Sequence, residues 1–288
     1  LYLGLSLLTD IKLTRIIKTL KNSILIGTFP GLCTNLIKYS NKSNKIIIQE
    51  HRELSSHSDE IQKSILEFYP LAHKVVTLTI HQKNEYTNNN LKNLAIIPNG
   101  LEDKLQFIKS NTHNENKNRI VSFGRLVEMK QFDLLIDSFS LIANDFPEWT
   151  LDIYGDGDQK DNLLEKIKEL DLGEQVRIYP STALVYEELY NCSFCALTSQ
   201  KEAFGMVYIE SFCMGKPVIS YDIGYGPKEF LKDNYNCLVS TCFNIEHYSK
   251  TMRQLMTDEK KRLQLDENAR KTFLENSEIS QAMPKLLL

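Results

Sequence analysis

Glu202-Ala-Phe-Gly-Met-Val-Tyr-Ile-Glu210 is the most informative segment of this chain. It follows an apolar run at residues 193–199 that predicts a buried strand, and residues 206–213 predict a helix. A strand, a glycine turn and a helix start in this order are typical of a parallel α/β sheet. The N–H groups of the first helical turn would then point past the sheet edge, where they favour an anion.

Two carboxylates stand eight positions apart in this stretch. Glu202 lies in the predicted loop, and Glu210 lies about one turn into the predicted helix. A carboxylate next to an anion site is favourable if the ligand carries neutral hydroxyls beside its anionic group. A carboxylate accepts hydrogen bonds from the two hydroxyls of a vicinal diol, as in a sugar. The pattern indicates a nucleotide-sugar site. The alternative is a surface loop residue followed by a first-turn glutamate that favours the helix dipole, and spacing alone leaves both interpretations open.

Composition and charge narrow the class of protein. The 288 residues are 42% hydrophobic and 25% charged, as in a soluble globular protein of one large or two ordinary domains. The net charge of −3 argues against nucleic acid as the main partner. The first 45 residues hold seven basic residues and one acidic residue, so this segment carries +6 and the remainder −9. A solvated helix face is the favoured interpretation of the basic segment, and peripheral contact with an anionic membrane is the alternative.

The amino-terminal residues and the cysteines indicate the cellular compartment of the protein. Residues 1–8 are apolar but far shorter than the ~20 residues that span a bilayer, and they do not read as a signal peptide. The chain begins without Met, and we expect amino-terminal sequence to be missing. Cys192 and Cys195 have a CxxC spacing at a helix-to-strand junction, which predicts small buried apolar residues. We expect a reducing compartment, the cytoplasm, with the inner face of the plasma membrane as the place of any membrane contact.

Short apolar runs alternate with amphipathic helical stretches, which is the pattern of a parallel sheet with helices on both faces. We predict strands at 23–27, 45–49, 74–79, 95–97, 119–123, 150–154, 175–179, 193–198, 217–221 and 236–239. We predict helices at 11–20, 56–68, 132–143, 158–170 and 206–213, and a charged helical tail after His247. These elements make two Rossmann-like doubly wound domains, residues 1–104 and 105–288, with a truncated first domain and a polar surface loop at 109–118.

Two cations follow the first strand of the second domain. Phe123-Gly124-Arg125 ends that strand, and Lys130 is expected to open the next helix. The glycine lets the backbone approach a ligand at the carboxyl end of the sheet, where open α/β folds bind ligands. Arg and Lys at this edge suit a diphosphate. The alternative is a pair of ordinary surface cations.

Three further segments carry candidate chemistry. Tyr154-Gly155-Asp156-Gly157 predicts a tight turn in which Asp156 caps the following helix. The glycine-rich loop at residues 224–226 is expected to face the same crevice as Glu202. His51 follows a strand of the first domain, where it either hydrogen-bonds a sugar hydroxyl or is structural.

Taken together, and in the order in which they occur along the chain, these motifs resemble those of the retaining glycosyltransferases of the GT-B fold, family 4. The resemblance rests on Gly124-Arg125 with Lys130, Gly155-Asp156-Gly157, Glu202 with Glu210 (the family's EX7E motif), Gly215-Lys-Pro-Val, and the interdomain segment Pro98-Asn99-Gly100. The loop at residues 222–229 departs from the commoner Gly-Gly-x-x-Glu pattern. Its Tyr-Gly-Pro sequence looks more like enzymes that glucosylate poly(glycerol-phosphate) teichoic acids or glycosylate serine-rich surface proteins.

The resemblance implies a role for each matching residue. Arg125 and Lys130 would hold the donor diphosphate, Glu210 the ribose hydroxyls and Glu202 the donor sugar. His51 looks like the family's first-domain histidine near the reacting sugar. The implied donor-binding residues are Gly124, Arg125, Lys130, Phe204, Gly205, Met206, Val207 and Glu210. The family needs neither a metal nor another cofactor.

The resemblance also implies a hexosyltransferase that moves a sugar from a nucleotide-sugar donor, UDP-linked, to a bacterial surface glycan, teichoic acid or glycoprotein. The acceptor is then a glycan, a lipid-linked molecule or a protein.

A non-catalytic partner subunit would be expected to lose the charged site residues, all of which are present. A nucleotide-sugar epimerase would need another pair of cleft carboxylates. A nicotinamide dehydrogenase is disfavoured because no GxGxxG follows any strand.

Overall fold

The computed structural model describes residues 7–101 and 118–281. The chain divides into two compact units, which meet in the sequence between Asn99 and Gly100. The predicted border at residues 104 and 105, and most of the predicted loop at 109–118, lie outside the described residues.

The first unit is a four-stranded parallel sheet with helices between its strands. Its strands are β1 (Ile24–Gly27), β2 (Lys45–Gln49), β3 (Lys74–Thr77) and β4 (Leu94–Ile96), paired in the order β1-β2-β3-β4. Its helices are α1 (Leu7–Thr19), α2 (Pro30–Tyr39), α3 (Asp59–Phe68) and α4 (Ile80–Asn88). The β-branched residues of β2 and β3 suit a buried strand, and Ile48 and Val75 pack with Tyr69 and Tyr86 in the core of this unit.

The second unit contains a six-stranded parallel sheet. Its strands are β5 (Arg119–Phe123), β6 (Thr150–Tyr154), β7 (Val176–Tyr179), β8 (Phe194–Leu197), β9 (Val218–Tyr221) and β10 (Cys237–Ser240). Its helices are α5 (Phe132–Ser140), α6 (Lys160–Glu169), α7 (Val185–Tyr190), α8 (Met206–Cys213), α9 (Ile245–Thr257) and α10 (Glu259–Gln281). The parallel α/β class predicted from the sequence is confirmed.

The strand order of the second sheet is β10-β9-β8-β5-β6-β7. The chain therefore runs outward from β5 to β7, returns to the other side of β5 with β8, and continues outward to β10. In open α/β sheets, the point where the strand order reverses leaves a crevice at the carboxyl ends of the two strands. Here that point lies between β5 and β8.

Most predicted strand boundaries agree with the structure to within one or two residues, while the helices differ more. The helix predicted from residue 56 begins at Asp59, because a 3-10 turn, Leu54–Ser56, precedes it. Three helices, α2, α4 and α7, were not identified from the sequence. Helix α4 is largely polar, so it lacks the apolar periodicity by which helices are recognised. Helix α2 opens with Pro-Gly, which resembles a turn, although proline is favourable at the first helical position.

The CxxC pair is buried, as the sequence predicted. Cys192 and Cys195 are free thiols that are almost fully inaccessible to solvent. Burial raises the pKa of the Cys192 thiol to about 12, so this sulfur stays protonated and packs as an apolar group.

Among the helices of residues 7–101 and 118–281, none is long and apolar enough to cross a bilayer.

Helix α10 carries a carboxyl group that is buried within the second unit. Asp266 is only 7% exposed, and its Oδ1 has no hydrogen-bond partner within the described residues. Burial raises the pKa of Asp266 to about 7, although the cations Lys216 and Arg262 oppose the shift. A carboxyl group in an unfolded chain has a pKa of about 3.9. The stabilising contribution of neutral Asp266 is therefore complete below about pH 4 and is lost as the pH rises through about 7.

Replacing Asp266 with Asn should remove this pH dependence, because the amide stays neutral. We expect the D266N variant to match the wild type near pH 4 and to become the more stable protein by pH 8. The gain should be at most about 1.4 kcal/mol for each unit by which the pKa is raised. Urea unfolding at several pH values measures it, with exposed Glu267→Gln on the same helix as the control. A difference between D266N and wild type that does not change with pH would contradict this assignment.

Candidate functional site

The loops that follow β5 and β8 meet at the point where the strand order reverses. Lys130, in the loop after β5, forms an ion pair with Glu202, in the loop after β8. The Ser199 hydroxyl donates a second hydrogen bond to the same carboxylate oxygen, at 2.8 Å. Both charged side chains are largely buried. The structure thus brings together two residues that are 72 positions apart in the sequence and that the motifs singled out separately.

Backbone contacts hold these two loops in place. The Thr198 hydroxyl donates to the carbonyl oxygens of Lys130 and Gln131, at 3.0 and 2.9 Å. The Gln200 N–H donates to the Met129 carbonyl oxygen at 2.8 Å. All of these hydrogen bonds are accepted by backbone carbonyl oxygens of residues 129–131, so they fix the backbone on both sides of Lys130.

Lys130 lies outside the next helix, contrary to the sequence prediction that it opens one. It ends a 3-10 turn, Glu128–Lys130, and α5 begins only at Phe132. Gln131 between them has a φ of 49°, in the left-handed region, which interrupts the helical path. The interruption separates Lys130 from the start of α5 and leaves its ammonium group in contact with Glu202.

The glycine before α8 shapes the other side of this region. Gly205 has a φ of 81° and precedes Met206, the first residue of the helix. Glycine has no side chain to cap a helix, so the N–H groups of Met206 and Val207 need a partner from outside the helix, such as water or an anion. Phe204 is buried against Phe230, with ring centroids 5.6 Å apart, and anchors the loop.

The two glutamates of the motif lie in different surroundings. Glu202 is paired with a cation, whereas burial raises the pKa of the Glu210 carboxyl, which lies within α8. Arg125 follows Gly124 and is exposed, so its guanidinium can reach a ligand in solvent. The sequence-predicted residues of the second unit therefore lie in the loops after β5 and β8 and the first turns of α8.

Close backbone contacts bind the neighbouring loops together. A Cβ on Gly155, after β6, would lie 1.9 Å from the Gly124 carbonyl oxygen, and one on Gly157 would lie 2.2 Å from that of Leu126. A Cβ on Gly226, after β9, would lie 2.0 Å from the Glu202 carbonyl oxygen. The predicted approach of the 224–226 loop to Glu202 is thus found, and only glycine fits at these contacts.

Asp156 does not cap a helix, contrary to the sequence prediction. Its Oδ2 accepts hydrogen bonds from the backbone N–H and the hydroxyl of Ser181, at 2.9 and 2.7 Å. These bonds lower the pKa of the Asp156 carboxyl. The reason is positional, since the carboxylate contacts the loop after β7 instead of the start of α6. It therefore ties the loops after β6 and β7 together.

A stack of three aromatic rings was missed by the sequence analysis. Phe123, Tyr154 and Tyr179 occupy matching positions at the ends of β5, β6 and β7. Their ring centroids are 5.2 and 5.0 Å apart, with nearly parallel planes. Each aromatic residue ends a predicted strand, but only knowledge of the strand order would have shown that the three are neighbours.

His51 lies in the first unit, just after β2, on a loop fixed by two carboxylates. Glu50 is only 2% exposed, and its Oε1 accepts the N–H groups of His51 and Arg52 at 3.0 and 3.2 Å. Its Oε2 accepts the Tyr69 hydroxyl at 2.9 Å. Glu85 accepts two further N–H groups, those of residues 54 and 55, at 2.8 Å each. The partly exposed His51 side chain therefore lies on a loop whose backbone N–H groups are hydrogen-bonded to Glu50 and Glu85.

Within residues 7–101 and 118–281, no group of three or more His, Cys, Asp or Glu side chains is arranged to hold a metal ion. The charged candidates that the sequence motifs identify in the second unit are Arg125, Lys130, Glu202 and Glu210.

The sequence profile of the family described as Glycosyl transferases group 1 matches residues 103–272. An exopolysaccharide phosphotransferase of Streptomyces coelicolor is 30% identical over 88% of this chain and 27% of its own length. A poly(ribitol-phosphate) alpha-N-acetylglucosaminyltransferase of Staphylococcus aureus is 26% identical over 96% of this chain and 56% of its own length. The chain therefore spans about a quarter to a little over half of the length of these relatives.

The fold is shared with a solved structure of a point mutant of S. aureus TarM in complex with Fondaparinux, alpha-GlcNAc-glycerol and UDP. The TM-score is 0.84 at 24% identity, over 96% of this chain and 57% of that one. The GT-B fold class predicted from the sequence is confirmed.

Replacing Gly155 with Ala should disturb the contact between the loops after β5 and β6. The new methyl group would meet the Gly124 carbonyl oxygen, and overpacking of this kind typically costs about 1–3 kcal/mol. Gly173→Ala is the matched control, because a Cβ there meets nothing within 4 Å. Urea unfolding of both variants measures the difference. Equal stabilities of the two variants would contradict the close approach.

Replacing Glu50 with Gln should loosen the loop that carries His51. A hydrogen bond to a charged acceptor is worth about 1.5–3 kcal/mol, so the His51 and Arg52 amides should exchange with solvent at least about tenfold faster. Hydrogen exchange read by NMR or mass spectrometry measures this. Glu67→Gln, at an exposed position of α3, is the control and should leave these amides unchanged. Unaltered exchange in the Glu50 variant would show that the carboxylate does not hold the loop.

Proposed function

The chain belongs to the glycosyl transferases group 1 family, and on that premise we propose that it transfers a sugar from a UDP-linked donor to a bacterial cell-surface polymer. The observation that carries this proposal is the meeting of Lys130 with Glu202 beside the start of α8. Two cations, a paired carboxylate and helix amides at one sheet edge are the groups that a nucleotide-sugar requires.

Arg125 and Lys130 are the proposed partners of the donor diphosphate. Their positive charges would offset the charge that develops on the diphosphate as its bond to the sugar breaks. Lys130 has three N–H donors, so it can bond a phosphate oxygen without releasing Glu202. The N–H groups of Met206 and Val207 would add neutral donors from the start of α8.

The two glutamates are the proposed partners of the two sugars. Glu210 would accept hydrogen bonds from the ribose hydroxyls, which favour its ionised form and oppose the effect of burial on its pKa. Glu202, held by Lys130 and Ser199, would contact the donor sugar in a fixed orientation. A fixed carboxylate near the anomeric carbon stabilises a developing positive charge there.

We further propose a retaining mechanism of the family 4 type, without a metal. The S. aureus relative is named for an alpha-linked product, and the TarM structure holds UDP together with alpha-GlcNAc-glycerol. An alpha product from an alpha-linked sugar nucleotide requires retention. His51 is proposed to act near the reacting sugar, on a loop fixed by Glu50.

The proposed acceptor is a surface polysaccharide or a polyol-phosphate teichoic acid, and the sugar is a hexose or an N-acetylhexosamine. The names of the two relatives support this class. The phosphotransferase activity in the first name is not carried over, because the match covers 27% of that protein. The resemblance of the Tyr225-Gly226-Pro227 loop to poly(glycerol-phosphate) glucosyltransferases supports a teichoic acid.

Calorimetric titration with UDP, UDP-glucose, UDP-GlcNAc and GDP-mannose tests the donor site. We expect one UDP-sugar to bind and Arg125→Ala to weaken it by about tenfold or more, as expected for a charge-assisted hydrogen bond. Arg177→Ala removes an exposed arginine of β7 and should leave the affinity unchanged. Equal binding by both variants would contradict the site.

A transfer assay with poly(glycerol-phosphate) and poly(ribitol-phosphate) acceptors tests the activity itself. Sugar incorporation by the wild type, lost in Arg125→Ala, is the expected result. Donor binding without transfer to any offered polymer would contradict the proposed acceptor class. It would favour the non-catalytic partner subunit if free UDP is not released either.

A further inference from the structure

We propose that a groove at the carboxyl ends of β9 and β10 binds a saccharide, at a site separate from the candidate donor site. The groove lies within the second unit, between the loop after β9, the turn at residues 231–233 and the loop that leads from β10 into α9. Its volume is about 680 Å³, and small-molecule sites usually have about 300–1,000 Å³. Arg125, Lys130, Glu202 and Glu210 are not among its lining residues, so the inference does not depend on the proposed function.

Hydrogen bonds already join the walls of this groove. The Cys242 thiol donates to the Asp222 carbonyl oxygen at 2.8 Å and so links the loop after β10 to the loop after β9. The Asp222 N–H donates to the Ser240 carbonyl oxygen at 3.0 Å. The Asp233 carboxylate accepts the N–H of Val239, in the edge strand β10, at 2.8 Å. Because the walls are held together in this way, little conformational entropy is lost when a ligand binds.

The contacts of His247 leave one ring nitrogen available as a donor. Its Nδ1 accepts the Thr241 N–H at 2.9 Å and lies 3.2 Å from the Ser240 hydroxyl. A ring nitrogen that accepts a backbone N–H carries no proton, so the proton of the neutral imidazole is on Nε2. His247 is exposed and lines the groove, and its Nε2–H is therefore available to a ligand oxygen.

The charges of the groove indicate a neutral ligand. Asp222, Asp233 and Lys228 line it, and two negative charges against one positive charge do not favour an anion. Asp222 and Lys228 form an ion pair at 2.9 Å, and both side chains are more than half exposed. Among the described residues, no group of three His, Cys, Asp or Glu side chains is arranged to hold a metal ion. The groove thus offers carboxylate acceptors with ammonium and imidazole donors, which suit a ligand with many hydroxyls.

An exposed phenyl ring lies next to these polar groups. Phe243 is 49% exposed, follows Cys242 in the chain and contacts the Tyr221 ring edge-on, with centroids 5.7 Å apart. Both of these neighbours line the groove. The φ of Phe243 is 57°, in the left-handed region that residues other than glycine seldom adopt. Strain of this kind is concentrated at ligand sites, and here it accompanies an apolar ring that is left in contact with solvent.

A saccharide matches both kinds of group. The C–H groups of a pyranose ring pack on an exposed aromatic ring, and its hydroxyls donate and accept hydrogen bonds. A phosphate would meet the two carboxylates, and an apolar ligand would leave the charged groups without hydrogen bonds. A free sugar and a sugar within a polymer present the same chemistry, and a comparison of monosaccharide with oligosaccharide separates these two sources.

NMR titration of the whole chain tests the proposal. Methyl α-glucopyranoside, methyl N-acetyl-α-glucosaminide and maltotriose are added in turn, with and without saturating UDP. We expect saturable shifts of the amide signals of residues 222–228 and 241–247, with a dissociation constant of about a millimolar for a monosaccharide. UDP should leave these shifts unchanged. Tighter binding of maltotriose would assign the groove to a sugar chain, and equal binding would assign it to a single sugar.

Two variants test the groups that the proposal uses. Asp222→Ala should weaken saccharide binding about tenfold or more, because a charged acceptor is lost. Phe243→Asn should weaken it about fivefold, because asparagine tolerates the left-handed backbone but has no ring to pack on the sugar. Asp161→Ala and Leu184→Asn, at exposed positions of the same unit, are the matched controls and should bind as the wild type does. Unchanged melting temperatures show that each variant is folded.

Several results would overturn the proposal. Absence of saturable shifts with every saccharide would show that the groove binds no sugar. Shifts that disappear when UDP is added would place the sugar in the donor site, and shifts with inorganic phosphate alone would assign the groove to an anion. Equal losses in the test and control variants would show a nonspecific effect. Arg125→Ala, which tests the donor site, should leave saccharide binding unchanged, so failure of one proposal is distinguishable from failure of the other.

Discussion

The close packing of backbone at the carboxyl edge of the second sheet is the constraint on which the candidate site depends. Gly155 and Gly157 lie against carbonyl oxygens of the loop after β5, and Gly226 lies against the Glu202 carbonyl oxygen. Asp156 extends the same assembly to the loop after β7 through Ser181. Loops of five neighbouring strands therefore form one layer, so the loops that carry the candidate residues cannot move independently of the sheet.

Charge in this layer is concentrated where the strand order reverses. A largely buried ion pair is weak evidence for stability, because desolvation of both ions offsets much of their attraction. Under the proposed function, the Lys130–Glu202 pair preorganises the site, because each charge holds the other in place before a ligand binds. Burial raises the pKa of the Glu210 carboxyl. Glu202 is paired with Lys130, so the two glutamates of one motif lie in different surroundings.

The strands, the fold class and the order of the motifs could be predicted from the sequence because they follow from local apolar runs and glycine positions. Contacts between distant segments could not. The Glu85 carboxylate accepts the N–H groups of residues 54 and 55, which are about 30 positions away in the sequence, and no local sequence pattern predicts these hydrogen bonds. Lys130 was predicted to open a helix and Asp156 to cap one, and both predictions were wrong. The left-handed Gln131 and the approach of Ser181 decide these positions, and both are set by the tertiary structure.

A crystal structure of the chain with a bound UDP-sugar would locate the diphosphate and so test the proposed donor site. We expect the diphosphate within hydrogen-bond distance of Arg125, Lys130 and the first amides of α8, with the ribose hydroxyls on Glu210. We also expect little movement of the glycine contacts between the loops. A nucleotide bound elsewhere, or a diphosphate held without Arg125 and Lys130, would contradict the proposed site.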